Sequence, residues 1–145
     1  MSAMTQTTDT VLAVGTRKGL WLARSNDRTD WLLSGPYFLM NEVASVALDN
    51  RHSPPRILAG LLSPHWGPTV VMSDDLGETW TEPEAGAITF PPGSGDSLGR
   101  IWQLQPDSAD RPDVVWAGCE PISVWKSTDG GTSFELNQAL WNHPH

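Results

Sequence analysis

The 145-residue chain has one cysteine, one tyrosine and three phenylalanines, and only nine lysine and arginine side chains against seventeen acidic ones. A lone cysteine, Cys119, excludes an intrachain disulfide and a thiolate metal cluster. Its surroundings in VVWAGCE read as a buried strand thiol. A net charge of −8 without a basic stripe excludes the counterion-releasing contacts of a nucleic-acid binder. No apolar run approaches the ~20 residues of a membrane span. The opening MSAMTQTTDT also lacks the charged and apolar regions of a secretory signal. A soluble protein of the cytoplasm is expected, with no nucleic-acid and no membrane partner.

What the chain has in quantity is 12 prolines, 13 glycines and 8 tryptophans, the profile of many short strands joined by tight turns. Long helices are not expected. Two segments repeat: SDDLGETW from Ser73 to Trp80 and STDGGTSF from Ser127 to Phe134, both fitting Ser-x-Asp-x-Gly-x-x-aromatic. A shorter copy, SNDRTDW from Ser25 to Trp31, keeps Ser, Asp and Trp without the glycine. The copies begin roughly 50 residues apart, close to the period of four-stranded propeller blades.

Each copy reads as a hairpin turn. Ser73 and Asp75, or Ser127 and Asp129, satisfy turn amides, Gly77 or Gly131 takes the positive φ, and Trp80 or Phe134 starts the next strand. Such an aspartate is engaged with backbone and suits structure better than catalysis. Before each copy lies an apolar strand ending near glycine: TVLAVGT, RILAGLL and DVVWAGC. Two further strands, EVASVALD and RIWQLQPD, alternate and close on aspartate. The first unit lacks this innermost strand. The expected fold is an all-β propeller of four-stranded antiparallel blades, with three blades in an incomplete ring. Units fall at about 10–35, 36–90 and 91–145, after a disordered tail over 1–9. Unpaired strands and apolar faces are normally avoided, so the chain is expected to be the amino-terminal piece of a longer propeller, or to self-associate through its open edges.

The turns resemble the Asp-box, or bacterial neuraminidase, repeats of sialidases and other propellers. With VGTRKGLWLARS, SGPYF, GPTVVMSDDLGETW, VWAGCEP and LWNHP, nearly all of the chain from Val11 on is similar to bacterial proteins of the sialidase-like superfamily that are described as glycosyl hydrolases. The resemblance implies a propeller; a fold alone does not imply an activity. The sialidase machinery of three arginines, a tyrosine–glutamate pair and an aspartate cannot be placed. The Arg-Ile-Pro motif is absent, and Tyr37, the only tyrosine, lies early in the chain.

Because strands alternate in direction, the loops opposite the boxes share one face, and ligand sites favour such loops. They carry Arg17, Lys18, His65, Trp66, Arg100 and His143 as candidate ligand-binding residues, and Glu42 and Glu120 as candidate catalytic carboxylates. Arginine suits a carboxylate, tryptophan a stacked ring, and paired glutamates glycoside hydrolysis if they are ~5 to 9.5 Å apart. Each has a plainer reading: a solvated turn for Arg17 and Lys18, ion-pair partners for the glutamates, inter-blade packing for Trp66. His65 and His143 are isolated, and His52 falls on the other face, so neither a metal nor a cofactor is expected. The functional expectation is a scaffold for assembly or for binding a carbohydrate or small anion, with a glycoside hydrolase using loop-face carboxylates as the alternative.

Overall fold

The computed structural model describes residues 9–65 and 67–144. Of the expected tail only Asp9 is among them, and Trp66 lies outside the described residues. Strands β1 (Thr10–Thr16), β2 (Gly19–Ser25) and β3 (Leu32–Tyr37) make one antiparallel sheet. Strands β4 (Val43–Asp49), β5 (Arg56–Ser63) and β6 (Gly67–Ser73) make the second. The third holds β7 (Arg100–Pro106), β8 (Val115–Glu120), β9 (Ser123–Ser127) and the short β10 (Glu135–Leu136), followed by a one-turn helix α1 (Gln138–Trp141).

Strand β4 packs against β1 on one side and β7 on the other, and β7 also touches β5. The chain is thus all-β, with three sheets stacked as successive blades of a partial propeller. Among the described residues β1 pairs only with β2 and no strand lies inside it in the first blade, and Leu12 and Val14 on it are exposed.

The middle sheet shows why its strands read as continuous apolar runs. Side chains alternate across a strand: Ile57, Ala59 and Leu61 of β5 enter the core shared with the first blade, while Leu58 enters the core shared with the third. Val71 and the pair Val70, Met72 divide in the same way on β6. A blade covered on both faces needs apolar residues at every position.

The second blade departs from the four-stranded expectation, since its outer strand is reduced to one bridge between Met72 and Thr81. Pro83, Pro91 and Pro92 follow, and proline cannot donate to a ladder. Ala87, Ile88 and Phe90 turn instead into the core shared with the third blade, where the Phe134 N–H bonds the Ala87 carbonyl at 3.0 Å.

The repeated turns share one bonding scheme. Ser73 Oγ donates to Asp75 Oδ1 at 2.8 Å and accepts from the Gly77 N–H at 2.8 Å. Asp75 in turn accepts from the Thr79 N–H at 2.8 Å and the Thr79 hydroxyl at 2.5 Å. Ser127, Asp129, Gly131 and Ser133 repeat this at 2.7, 2.9, 2.9 and 2.5 Å. The short copy does the same with one residue fewer: Ser25 bonds Asp27 at 3.0 Å and receives the Arg28 N–H at 2.7 Å, with Arg28 at φ +60°. Asp27 then takes the N–H groups of Thr29 and Asp30 at 2.8 and 2.9 Å.

The glycines do more than supply a positive φ. A Cβ on Gly77 would sit 2.7 Å from Leu22 Cδ1 and 3.2 Å from the Tyr37 ring, and one on Gly131 would sit 2.5 Å from Leu58 Cδ2. These two turns therefore press against the preceding blade, and Trp80 closes the first joint by meeting the Tyr37 ring at a tilt and the Phe38 ring edge-on, with centroids at 5.6 and 4.9 Å.

Candidate functional site

The β1–β2, β5–β6 and β8–β9 turns, and the segments leading into β4 and β7, lie on the side opposite the boxes. At that end the two inner strands present Glu42 and Arg100, whose carboxylate Oε1 and guanidinium Nε are 2.8 Å apart. The Arg100 guanidinium also lies 4.7 Å from the centroid of the Trp102 ring, a cation–π distance. Arg17, at the end of β1, completes a cleft of about 250 Å³ with these three residues.

Two matching irregularities build this end. The pairing of β4 with β5 shifts between Val43 and Ser45, and that of β7 with β8 shifts between Ile101 and Gln103. An extra residue in a strand bends it and re-aims its neighbours, so Ala44 and Trp102 line the cleft, and Trp102 remains 54% exposed. Directly beneath, the buried Ser45 hydroxyl donates to the Ile101 carbonyl at 2.9 Å. This bond fastens the inner strand of one blade to that of the next.

Among the described candidates, Arg17, Glu42 and Arg100 line the cleft together, and Lys18, His65, Glu120 and His143 do not. Glu120 faces Arg100 across the β7–β8 register, and its carbonyl takes the Gly99 N–H at 2.7 Å, but its side chain is exposed and does not line the cleft. Lys18 is exposed beside Arg17, with its N–H on Thr16 Oγ1 at 3.1 Å. His65 is an exposed turn residue with its N–H on Ser63 Oγ at 3.1 Å. His143 follows α1, exposed, with its N–H on the Leu140 carbonyl at 3.1 Å. Glu42 is an ion-pair partner, the plainer of its two readings.

Trp102 is the residue that sequence reasoning missed. Its signal was the spacing in Ile101-Trp102-Gln103-Leu104, where two outward residues separate two buried ones. Strict alternation forbids that interval and a bulge permits it.

The box side has a different character. Asp49 is fully buried, and although burial opposes its charge, the Arg51 guanidinium, bonding it at 2.7 and 2.8 Å, holds its carboxyl below the usual range. The Thr79 hydroxyl and N–H lower Asp75. Asp129 is lowered despite its desolvation by the Ser133 hydroxyl and N–H and by Ser127. The Trp116 indole and the Ser108 N–H lower Asp107. These carboxylates are committed to turns. Among the described residues no group of three His, Cys, Asp or Glu side chains is placed to hold a metal, and no helix is long and apolar enough to cross a membrane.

No protein-family model and no curated protein matches the chain in sequence. Among solved structures it is similar to YCF48 bound to D1 peptide, with a TM-score of 0.48 and 12% identity. That alignment covers 87% of this chain and 42% of the other, so the chain spans less than half the length of the protein it resembles.

Proposed function

We propose that this chain belongs to a non-catalytic propeller scaffold of the Asp-box type, which binds a carbohydrate or small anion on the loop face. The observation that carries this reading is the convergence of Arg17, Glu42, Arg100 and Trp102 on one cleft. An exposed guanidinium offers bidentate bonding to a carboxylate or to vicinal hydroxyls, and an exposed indole offers a stacking face. Glu42 orients Arg100 from 2.8 Å, which suits a holding role better than proton transfer. The Asp-box assignment is supported by three turns with one bonding scheme, and the proposed setting is the cytoplasm.

A glycoside hydrolase is the second reading; in its favour, Arg100 pairs with Glu42 and is the register partner of Glu120. Assay of the purified chain against a panel of aryl glycosides separates the two. The scaffold reading expects no turnover. Turnover that disappears in Glu42→Gln or Glu120→Gln would overturn it.

A further inference from the structure

Just outside the cleft, the segment between β3 and β4 displays Leu39 and Met40 at 64% and 70% exposure. Leu12 and Val14, by contrast, lie on β1, whose other edge has no partner among the described residues. Leu39 and Met40 stand instead in the connection between the first and second sheets.

The segment is also held in an unfavourable backbone. Phe38 and Met40 have φ of +56° and +68°, a region that non-glycine residues rarely enter without reason. Several contacts enforce it. The Met40 N–H bonds the Lys18 carbonyl at 3.1 Å, the Asn41 N–H bonds the Phe38 carbonyl at 2.9 Å, and the Phe38 ring meets Trp80 edge-on at 4.9 Å. Gly19 lies so close beneath that a Cβ there would be 2.6 Å from the Tyr37 carbonyl. The exposed pair is thus fixed to the turn bearing Arg17 and Lys18, both exposed and neither in an ion pair among the described residues.

We propose that Leu39, Met40, Arg17 and Lys18 form a docking tip for a protein segment in which apolar side chains stand beside carboxylates. Apolar anchors fixed in advance lose little conformational freedom on binding. Two neighbouring cations select the sign of the partner's charge. On a chain of net charge −8, an acidic segment is repelled over most of the surface, which favours this tip over other sites. The proposal does not require the small-ligand reading of the cleft: the tip shares Arg17 with it, but Leu39, Met40 and Lys18 do not line it.

The test uses the whole chain and two labelled synthetic peptides, one alternating Leu and Phe with Glu, the other identical except for Lys in place of Glu. Fluorescence anisotropy is expected to show binding of the acidic peptide, weakened by added salt, and little binding of the basic one. A Leu39→Ser, Met40→Ser double variant and a Lys18→Glu variant should each weaken binding about tenfold or more, as anchor residues do. Leu12→Ser should bind as the parent does. All these side chains are exposed, and matching circular dichroism and Tm confirm that the variants fold. No binding of the acidic peptide, equal binding of both peptides, or loss of binding in Leu12→Ser with retention in the double variant would overturn the proposal.

Discussion

Arg56, at the start of β5, donates from Nη1 to the Gly130 carbonyl of the next blade's box at 3.2 Å, while its Nε and Nη2 grip Asp74 of its own box at 2.7 and 3.0 Å. One side chain thus ties two successive boxes together. The Asp74 carboxylate is 64% exposed, so that ion pair contributes little by itself. The bond across the joint is better shielded. Arg56→Ala is expected to lower unfolding free energy by about 1–2 kcal/mol, and Asp74→Ala by roughly 0.5 kcal/mol or less. Urea denaturation measures both, and equal losses would assign the effect to the ion pair.

The box glycines offer a sharper contrast. Gly77 and Gly131 have φ of +92° and +106°, and a Cβ at either would strike a leucine of the preceding blade. Gly77→Ala and Gly131→Ala should each cost about 1–3 kcal/mol from backbone strain and crowding. Gly118 of β8 has no neighbour within 4 Å of a built Cβ, and Gly118→Ala should change stability by less than about 0.5 kcal/mol. Thermal unfolding of the three variants checks that order.

Acid should loosen the joints from the box side. Asp49, Asp74, Asp75, Asp107 and Asp129 all have folded-state pKa values below their unfolded ones. Groups shifted in this direction contribute stability above the unfolded carboxyl pKa of about 4, and that contribution is lost as pH falls through the folded values. Stability measured by chemical denaturation should therefore be near its plateau at neutral pH and decline from about pH 5 downward. Asp129→Asn should lower the plateau and make the decline shallower. An unchanged slope would mean that the turn carboxylates are not its source.

Cys119 lies in the core between the second and third blades, and burial pushes its thiol up to about 12. The thiolate is the reactive form, so a disulfide reagent should leave the native protein unmodified at neutral pH and react stoichiometrically once urea unfolds it. Rapid labelling of the native protein would contradict this packing.

The inner strand Ser45 provides a second probe of blade-to-blade attachment. Its hydroxyl is the buried donor to the Ile101 carbonyl at 2.9 Å. Ser45→Ala should cost about 1 kcal/mol and leave the cleft residues assembled, as reported by an unchanged Trp102 indole N–H resonance in a two-dimensional NMR spectrum.

Much of this architecture was legible in the residues because its signals are local. The Ser-x-Asp-x-Gly turns at Ser73 and Ser127 and the apolar runs at β5 and β8 can all be read from spacing and polarity. What stayed hidden depends on neighbours distant in the chain. The Glu42–Arg100 pair joins strands of different blades, Arg56 reaches Gly130 across 74 positions, and Gly77 meets Leu22 across a blade joint. Trp102 was concealed by a register shift that strict alternation does not anticipate. The second blade's outer strand was over-read because prolines after Thr81 strip it of donors and its apolar residues fill the adjoining core.

The central claim is that ligand recognition belongs to the loop-face cleft and that the boxes serve structure. Its most direct measurement is a two-dimensional NMR titration of the chain with a panel of neutral sugars and sugar acids, following Arg17 and Arg100 Nε–H, the Trp102 indole N–H and the backbone amides of both complete boxes. The account predicts shifts that centre on Arg17, Arg100 and Trp102, leave the Ser73–Trp80 and Ser127–Phe134 amides in place, and vanish in Trp102→Ala. Shifts centred on the boxes, or binding undiminished in Trp102→Ala and Arg17→Ala, would contradict it.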